Sequence, residues 1–250
     1  MGCIIAMAGK GGTGKTTIAS LIIRSIKERK IGSLLAIDAD PNSNLGEALG
    51  LKPGRNIGSI LDDITLNPGS VPAGMTKERF IDYQIQSVIQ EEQGFDLLSM
   101  GKPEGPGCYC YVNNVLRGVM AKLIKDYDYI VIDNEAGLEH LSRRTSRLAD
   151  ILIVVSDASR VGLRSAQRIN ELAVQLKFEV KKRYILINRF NQQIKKEMVK
   201  ETGLEYLGSL PEDALIKELS LSGGSIFSLK KGAPILAALN CLGDKIWKHN

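Results

Sequence analysis

Histidine is almost absent: only His140 and His249 occur in 250 residues. Tryptophan occurs once, and aromatic residues make up 5% of the chain. Four cysteines in a chain of this length do not make a disulfide framework, and they suit a reducing compartment. No apolar run reaches the ~18 residues of a membrane span. Met1–Ile5 leads straight into a strand-like stretch, with no basic region and no cleavage site, so it does not read as a signal peptide. These absences predict a cytoplasmic protein without a membrane partner. A strong excess of one charge is lacking too. The net charge is +5, and Lys177–Lys200 alone holds eight basic residues against Glu179 and Glu197. The rest of the chain is close to neutral. The basic stretch reads as one solvated face, and no nucleic-acid partner is expected.

What is present is a soluble globular composition: 44% hydrophobic, 24% charged, with 25 Gly and 8 Pro. Disorder and collagen are excluded. Short apolar runs at Cys3–Ala8, Leu34–Ile37, Asp96–Ser99, Tyr129–Ile132, Ile151–Val155 and Tyr184–Ile187 read as strands. Glu205–Gly208 is a seventh candidate. The runs are continuous rather than alternating, which suits a parallel sheet buried on both faces. Helices are expected at Thr16–Lys30, Lys77–Glu91, Tyr111–Asp126, Leu163–Lys177 and Ala233–Trp247. The alternation predicts an α/β fold over residues 1–250, one domain with a doubly wound, mostly parallel sheet and helices on both faces. Between Ile37 and Phe95 the Gly- and Pro-rich first half reads as a long irregular connection.

Gly9-Lys10-Gly11-Gly12-Thr13-Gly14-Lys15-Thr16 matches the phosphate-loop pattern G-x-x-x-x-G-K-[ST] in full, between a strand and a helix. Its glycines let backbone N–H groups wrap a phosphate, and the helix N-terminus adds a positive dipole end. Lys15 is expected on the β- and γ-phosphates, the Thr16 hydroxyl on Mg²⁺, and Thr17 on a phosphate oxygen. The early Lys10 resembles the deviant Walker A loop of a class of ATPases. That class includes the nitrogenase iron protein, the septum-site and chromosome-partition ATPases, and metal-insertion ATPases. The resemblance implies a nucleotide-dependent homodimer in which Lys10 crosses to the partner's nucleotide.

Asp38-Ala39-Asp40-Pro41 follows the second strand, where acids at the carboxyl edge of a parallel sheet meet ligand. It resembles switch I of this class, which implies that Asp40 orients the attacking water. Asp38 is expected to support the Mg²⁺ shell, and Asn44 to cap the short helix that follows. Ile130–Asp133 has the form of a Walker B strand, with Asp133 holding Mg²⁺. Gly137 is expected to donate its N–H to the γ-phosphate, making 133–140 a second switch. The place after Tyr184–Ile187 reads Asn188-Arg189-Phe190-Asn191, without the aspartate of N-K-x-D that pairs with guanine. Adenine is therefore expected, read by Asn188 and the main chain near Pro211.

Cys108-Tyr109-Cys110 lies on a Gly-Pro loop before an expected helix start, which favours the thiolate. Alone, C-x-C also fits two ordinary cysteines in a Gly-rich loop. Two thiolates at i and i+2 can turn to one soft metal, but two ligands do not close a structural site. Two such pairs meeting across a two-fold axis supply four sulfurs, suited to Zn²⁺, Ni²⁺ or Cu(I). Cys3 and Cys241 read as buried small apolar residues.

These motifs, with Glu135-Ala136-Gly137-Leu138-Glu139-His140-Leu141-Ser142-Arg143-Arg144-Thr145, stand in the order and spacing of the CO dehydrogenase nickel-insertion accessory ATPases. The chain resembles that family, which includes the acetyl-CoA synthase maturation factors, over nearly its whole length. The resemblance implies an ATP-hydrolysing homodimer that binds Ni²⁺ (Zn²⁺ in its place in vitro) at paired Cys108 and Cys110 and loads an apo client enzyme. Asn134-Glu135 departs from the CO dehydrogenase group and points to the acetyl-CoA synthase branch. Glu139 and His140 are read as coupling the nucleotide to the dimer surface rather than carrying metal.

Overall fold

A computed structural model of the chain describes residues 2–101, 118, 122–123, 125–136, 148–176, 178–192 and 194–247. Eight strands form one sheet: β1 (Cys3–Gly9), β2 (Leu34–Ala39), β3 (Gln90–Glu92), β4 (Phe95–Ser99), β5 (Tyr129–Asn134), β6 (Leu148–Ser156), β7 (Glu179–Ile187) and β8 (Glu205–Ser209). Their spatial order is β3-β4-β2-β5-β1-β6-β7-β8. Every pairing is parallel except β3 with β4. The doubly wound, mostly parallel sheet expected from the apolar runs is what forms.

The sheet is buried on both sides because β1 is apolar at every position. Ile4, Ala6 and Ala8 join one core, and Ile5 and Met7 the other. The first core packs under α3 (Ile57–Leu66), α4 (Lys77–Gln86) and α5 (Arg160–Gln175). The second lies under α1 (Lys15–Arg29) and the last helix (Pro234–Trp247). Fully buried Ile18, Leu21, Ile22 and Ile26 form the inward stripe of α1.

The helix expected over Lys77–Glu91 ends early, at Gln86. The Ser87 hydroxyl turns back to the Gln84 carbonyl at 2.6 Å, and the chain leaves the helix for β3. Gly94, at φ 87°, closes the tight turn from β3 into β4. That hairpin was not expected, since a three-residue polar strand carries no apolar signal. The connection before it is less irregular than its Gly and Pro content suggests. Asn56 and Ser59 form a reciprocal capping box that starts α3. Of the helix expected over Tyr111–Asp126, only 118, 122–123, 125 and 126 are described, and the rest lies outside the described residues.

Candidate nucleotide-binding site

The phosphate loop leaves the carboxyl end of β1, the central strand with β5 and β6 on either side. Parallel register places Asp38, Asp133 and Met7 level on adjacent strands, so both acids stand at the mouth of the loop. The loop folds around one carbonyl. Lys10 O accepts from the Thr13 hydroxyl at 2.8 Å and from Lys15 Nζ at 3.5 Å. Lys15 is buried, whereas Lys10 is exposed at the front of the loop. Gly14 is the N-cap of α1 at φ 93° and, as glycine, gives the first turn no side-chain cap. Its free N–H groups and dipole face the loop interior, the condition for binding an anion.

Asn188 holds the loop from behind. Its Nδ2 donates to Thr13 O at 2.9 Å, and its Oδ1 accepts from Arg189 N at 3.0 Å. A β-carbon on Gly14 would come within 2.4 Å of that Nδ2, so only glycine fits. Asn188 thus buttresses the loop with the Nδ2 end of its amide, while the Oδ1 end is fixed by the Arg189 N–H. It also lines a cleft of about 360 Å³ with Arg189, Pro211, Glu212 and Asp213. The residues expected around the base do meet. Arg189 holds a left-handed backbone, φ 55°, and its guanidinium reaches Gly12 O at 3.4 Å, tying the base side to the phosphate loop.

Asp133 is 1% exposed, and neither of its oxygens has a hydrogen-bond partner of normal geometry. Burial raises its pKa to about 6, with Asp40 adding to the rise and the nearby Thr16 hydroxyl and Lys15 ammonium opposing it. A buried, unpartnered carboxylate beside a threonine hydroxyl fits a divalent cation, and Thr16 and Asp133 would hold it. They are only two ligands, as suits Mg²⁺ completed by phosphates and water. Among the described residues no cluster of three or more His, Cys, Asp or Glu could hold a metal by itself.

Asp38 is fully buried and works on the chain. Its Oδ2 accepts from Leu45 N at 2.8 Å and its Oδ1 from Asp40 N at 3.2 Å. Burial raises its pKa to about 7, and Asp133 adds to the rise. Asn44 does not cap the short helix, as its position suggested, because it is the first residue of that helix. Ser43 occupies the cap position of α2 (Asn44–Ala48), without a side-chain cap bond, and Asp38 from the strand serves the free N–H instead. Asn44 lines the cleft beside Thr16. Asp40, half-buried, accepts from Asn42 N at 2.9 Å and Asn42 Nδ2 at 3.0 Å, which shapes the switch I turn.

Cys108, Cys110, Gly137, Glu139 and His140 lie outside the described residues. Cys241 is exposed, not buried, because the inward face of the last helix is Ile235, Leu236, Leu239, Gly243 and Ile246. Cys3 is half-buried, and burial pushes its thiol up to about 11. No helix among the described residues is long and apolar enough to cross a membrane.

A parallel sheet, a complete phosphate loop and a buried acid on the neighbouring strand define a P-loop nucleotide-binding protein. The CobQ/CobB/MinD/ParA nucleotide binding domain matches residues 4–226, and the chain belongs to that family of nucleotide-binding ATPases, which implies ATP or ADP with Mg²⁺. It is 41% identical to an uncharacterized ATP-binding protein of Methanocaldococcus jannaschii, over 97% of this chain and 98% of that one. It is 28% identical to the carbon monoxide dehydrogenase accessory protein CooC of Rhodospirillum rubrum, over 94% of this chain and 95% of that one. Among solved structures, the cell division ATPase MinD of Pyrococcus furiosus superposes with a TM-score of 0.74 at 21% identity, covering 100% of both chains. The septum site-determining protein MinD of Pyrococcus horikoshii, complexed with Mg-ADP, gives 0.73 at 20% identity, covering 99% and 97%.

Proposed function

We propose that this protein is an ATP-dependent nickel-insertion factor, working as a homodimer in the cytoplasm. It carries Ni²⁺ on the paired Cys108 and Cys110 of two subunits and loads apo CO dehydrogenase or acetyl-CoA synthase. One observation carries this reading: the near full-length likeness to a carbon monoxide dehydrogenase accessory protein, in a chain that also holds the C-x-C pair.

The chain's own groups supply the ATPase steps. Lys15 and the free amides of α1 neutralise the β- and γ-phosphates. Thr16 and Asp133 would hold a divalent cation, which when bound would supply positive charge against the phosphates. Asp40 orients water in line with the γ-phosphate. Lys10, exposed at the loop front, reaches the nucleotide of the second subunit. Closure of the dimer brings the two cysteine pairs together, and loss of the γ-phosphate contacts relaxes the switches.

Equilibrium dialysis with Ni²⁺ tests the reading. Wild type should bind about one Ni²⁺ per dimer, and Cys108→Ser with Cys110→Ser should lose it while keeping ATP hydrolysis. Unchanged nickel binding would exclude the cysteine site. A second reading, a positioning ATPase acting on DNA or lipid, is favoured by the likeness in fold to MinD structures. It predicts hydrolysis stimulated by DNA or anionic vesicles and indifferent to both cysteines.

A further inference from the structure

The groove around the first turn of α1 does not stop at the base and phosphate residues. A second cleft, of about 340 Å³, shares Thr17, Ile216 and Ser220 with the base cleft. It runs past Thr16 and Ser20 to α2, where Asn44 and Glu47 face Gly223 and Gly224. Glu47 is the one charged side chain lining this second cleft, and neither lysine nor arginine lines it. Such a wall is unsuited to phosphate and suited to a neutral group rich in hydroxyl donors.

We propose that Glu47 reads the ribose of the bound nucleotide, its carboxylate accepting from the vicinal 2′- and 3′-hydroxyls with Ser220 beside them. The proposal rests on the adenine-nucleotide reading of the site. With phosphates on the Gly9–Thr17 loop and the base against Asn188 and Pro211, the sugar falls where the two clefts join, at Thr17 and Ser220. Glu47, on α2, lines the second cleft that opens from that junction, and Ser220, on the helix Ala214–Ser222, lines both clefts. The Glu47 carboxylate makes no hydrogen bond or ion pair with a described residue. A β-carbon on Gly223 would lie 3.5 Å from its Oε1, so this end of the cleft is the narrow gap between that carboxylate and the glycine turn. Two acceptor oxygens on one carboxylate match two adjacent hydroxyl donors. Glu47 follows Leu45, whose N–H the buried Asp38 holds, so sugar recognition also steadies the switch I segment.

Calorimetric titration of the full chain with Mg²⁺ and ADP, 2′-deoxy-ADP or 3′-deoxy-ADP tests this. Wild type should favour ADP by about tenfold over either deoxy nucleotide, the effect of one hydrogen bond to a charged acceptor. Glu47→Gln should narrow that preference to below about threefold, mainly by weakening ADP. Glu47 is exposed, and matching thermal melts will show that the variant folds. Equal binding of the three nucleotides by wild type, or a full preference retained in Glu47→Gln, would overturn the ribose role and leave the nucleotide site standing. Failure of wild type to bind ADP at all would overturn both.

Discussion

Asp133 and Asp38 stand side by side at the sheet edge, and they differ in what satisfies them. Asp38 is bonded to two backbone N–H groups, whereas Asp133 has neither oxygen partnered. A buried carboxylate without partners is destabilising until a cation or proton arrives. Both pKa values are raised in the folded state, to about 6 and about 7, above the ordinary aspartate value. Above pH ~4 the unfolded chain has released protons that the folded chain keeps. Their contribution to stability is therefore greatest at low pH and falls as pH rises from about 4 to about 7. In EDTA, thermal melts should show this decline. Asp133→Asn should remove its share of the decline, leaving that of Asp38, and raise stability at pH 8 by on the order of 2 kcal/mol. The same variant should lose Mg²⁺-dependent ATP hydrolysis. Gly14→Ala acts oppositely: it forces a side chain onto φ 93° and against Asn188 Nδ2. ATP binding should weaken by at least about tenfold in a filter or calorimetric assay, from strain of about 1–3 kcal/mol.

At the scale of elements, switch I is a short loop pinned at both ends by a strand residue. Asp38 holds the N–H groups of Asp40 and Leu45, so the turn between them can change while its ends stay. Asp40 lies inside that turn. Asp40→Ala should bind ATP with near wild-type affinity and hydrolyse it about 10²-fold or more slowly, as loss of a water-orienting acid implies. Stopped turnover with intact binding separates this role from a structural one. The elements that departed from expectation share a cause. The end of α4 was decided by Ser87 and by hairpin pairing of β3 with β4, a backbone hydrogen-bonding gain for three polar residues that carry no apolar signal. The start of α2 was decided by a carboxylate six positions before it, in the preceding strand.

At the scale of the whole molecule, Lys10 is the feature that points outward. It is exposed on a loop otherwise wrapped by Asn188, Arg189 and its own carbonyl contacts. In the proposed sandwich it completes the partner's site. Asp40→Ala with ATP should therefore be a stable dimer by light scattering. Adding Lys10→Ala should return it to a monomer while ATP still binds. A monomer for Asp40→Ala with saturating ATP would count against the sandwich.

Local patterns in the sequence were enough for the strands, the phosphate loop and the Walker-type acid. Each is a run of neighbouring residues: apolar stretches long enough to be buried on both faces, a G-x-x-x-x-G-K-T turn, an acid closing Ile130–Asp133. Those signals need no distant partner, and seven of the eight strands were legible from them. Tertiary structure alone decided which groups share the site. Strand order set Asp38 level with Asp133, the closing of β7 beside the loop made Asn188 a buttress, and the fold set Glu47 of α2 and Ser220 of the helix Ala214–Ser222 in the walls of one cleft. These contacts join residues up to 175 positions apart, as in the bond from Asn188 to Thr13. Their geometry comes from the twist and register of the whole sheet, which no short stretch of sequence encodes.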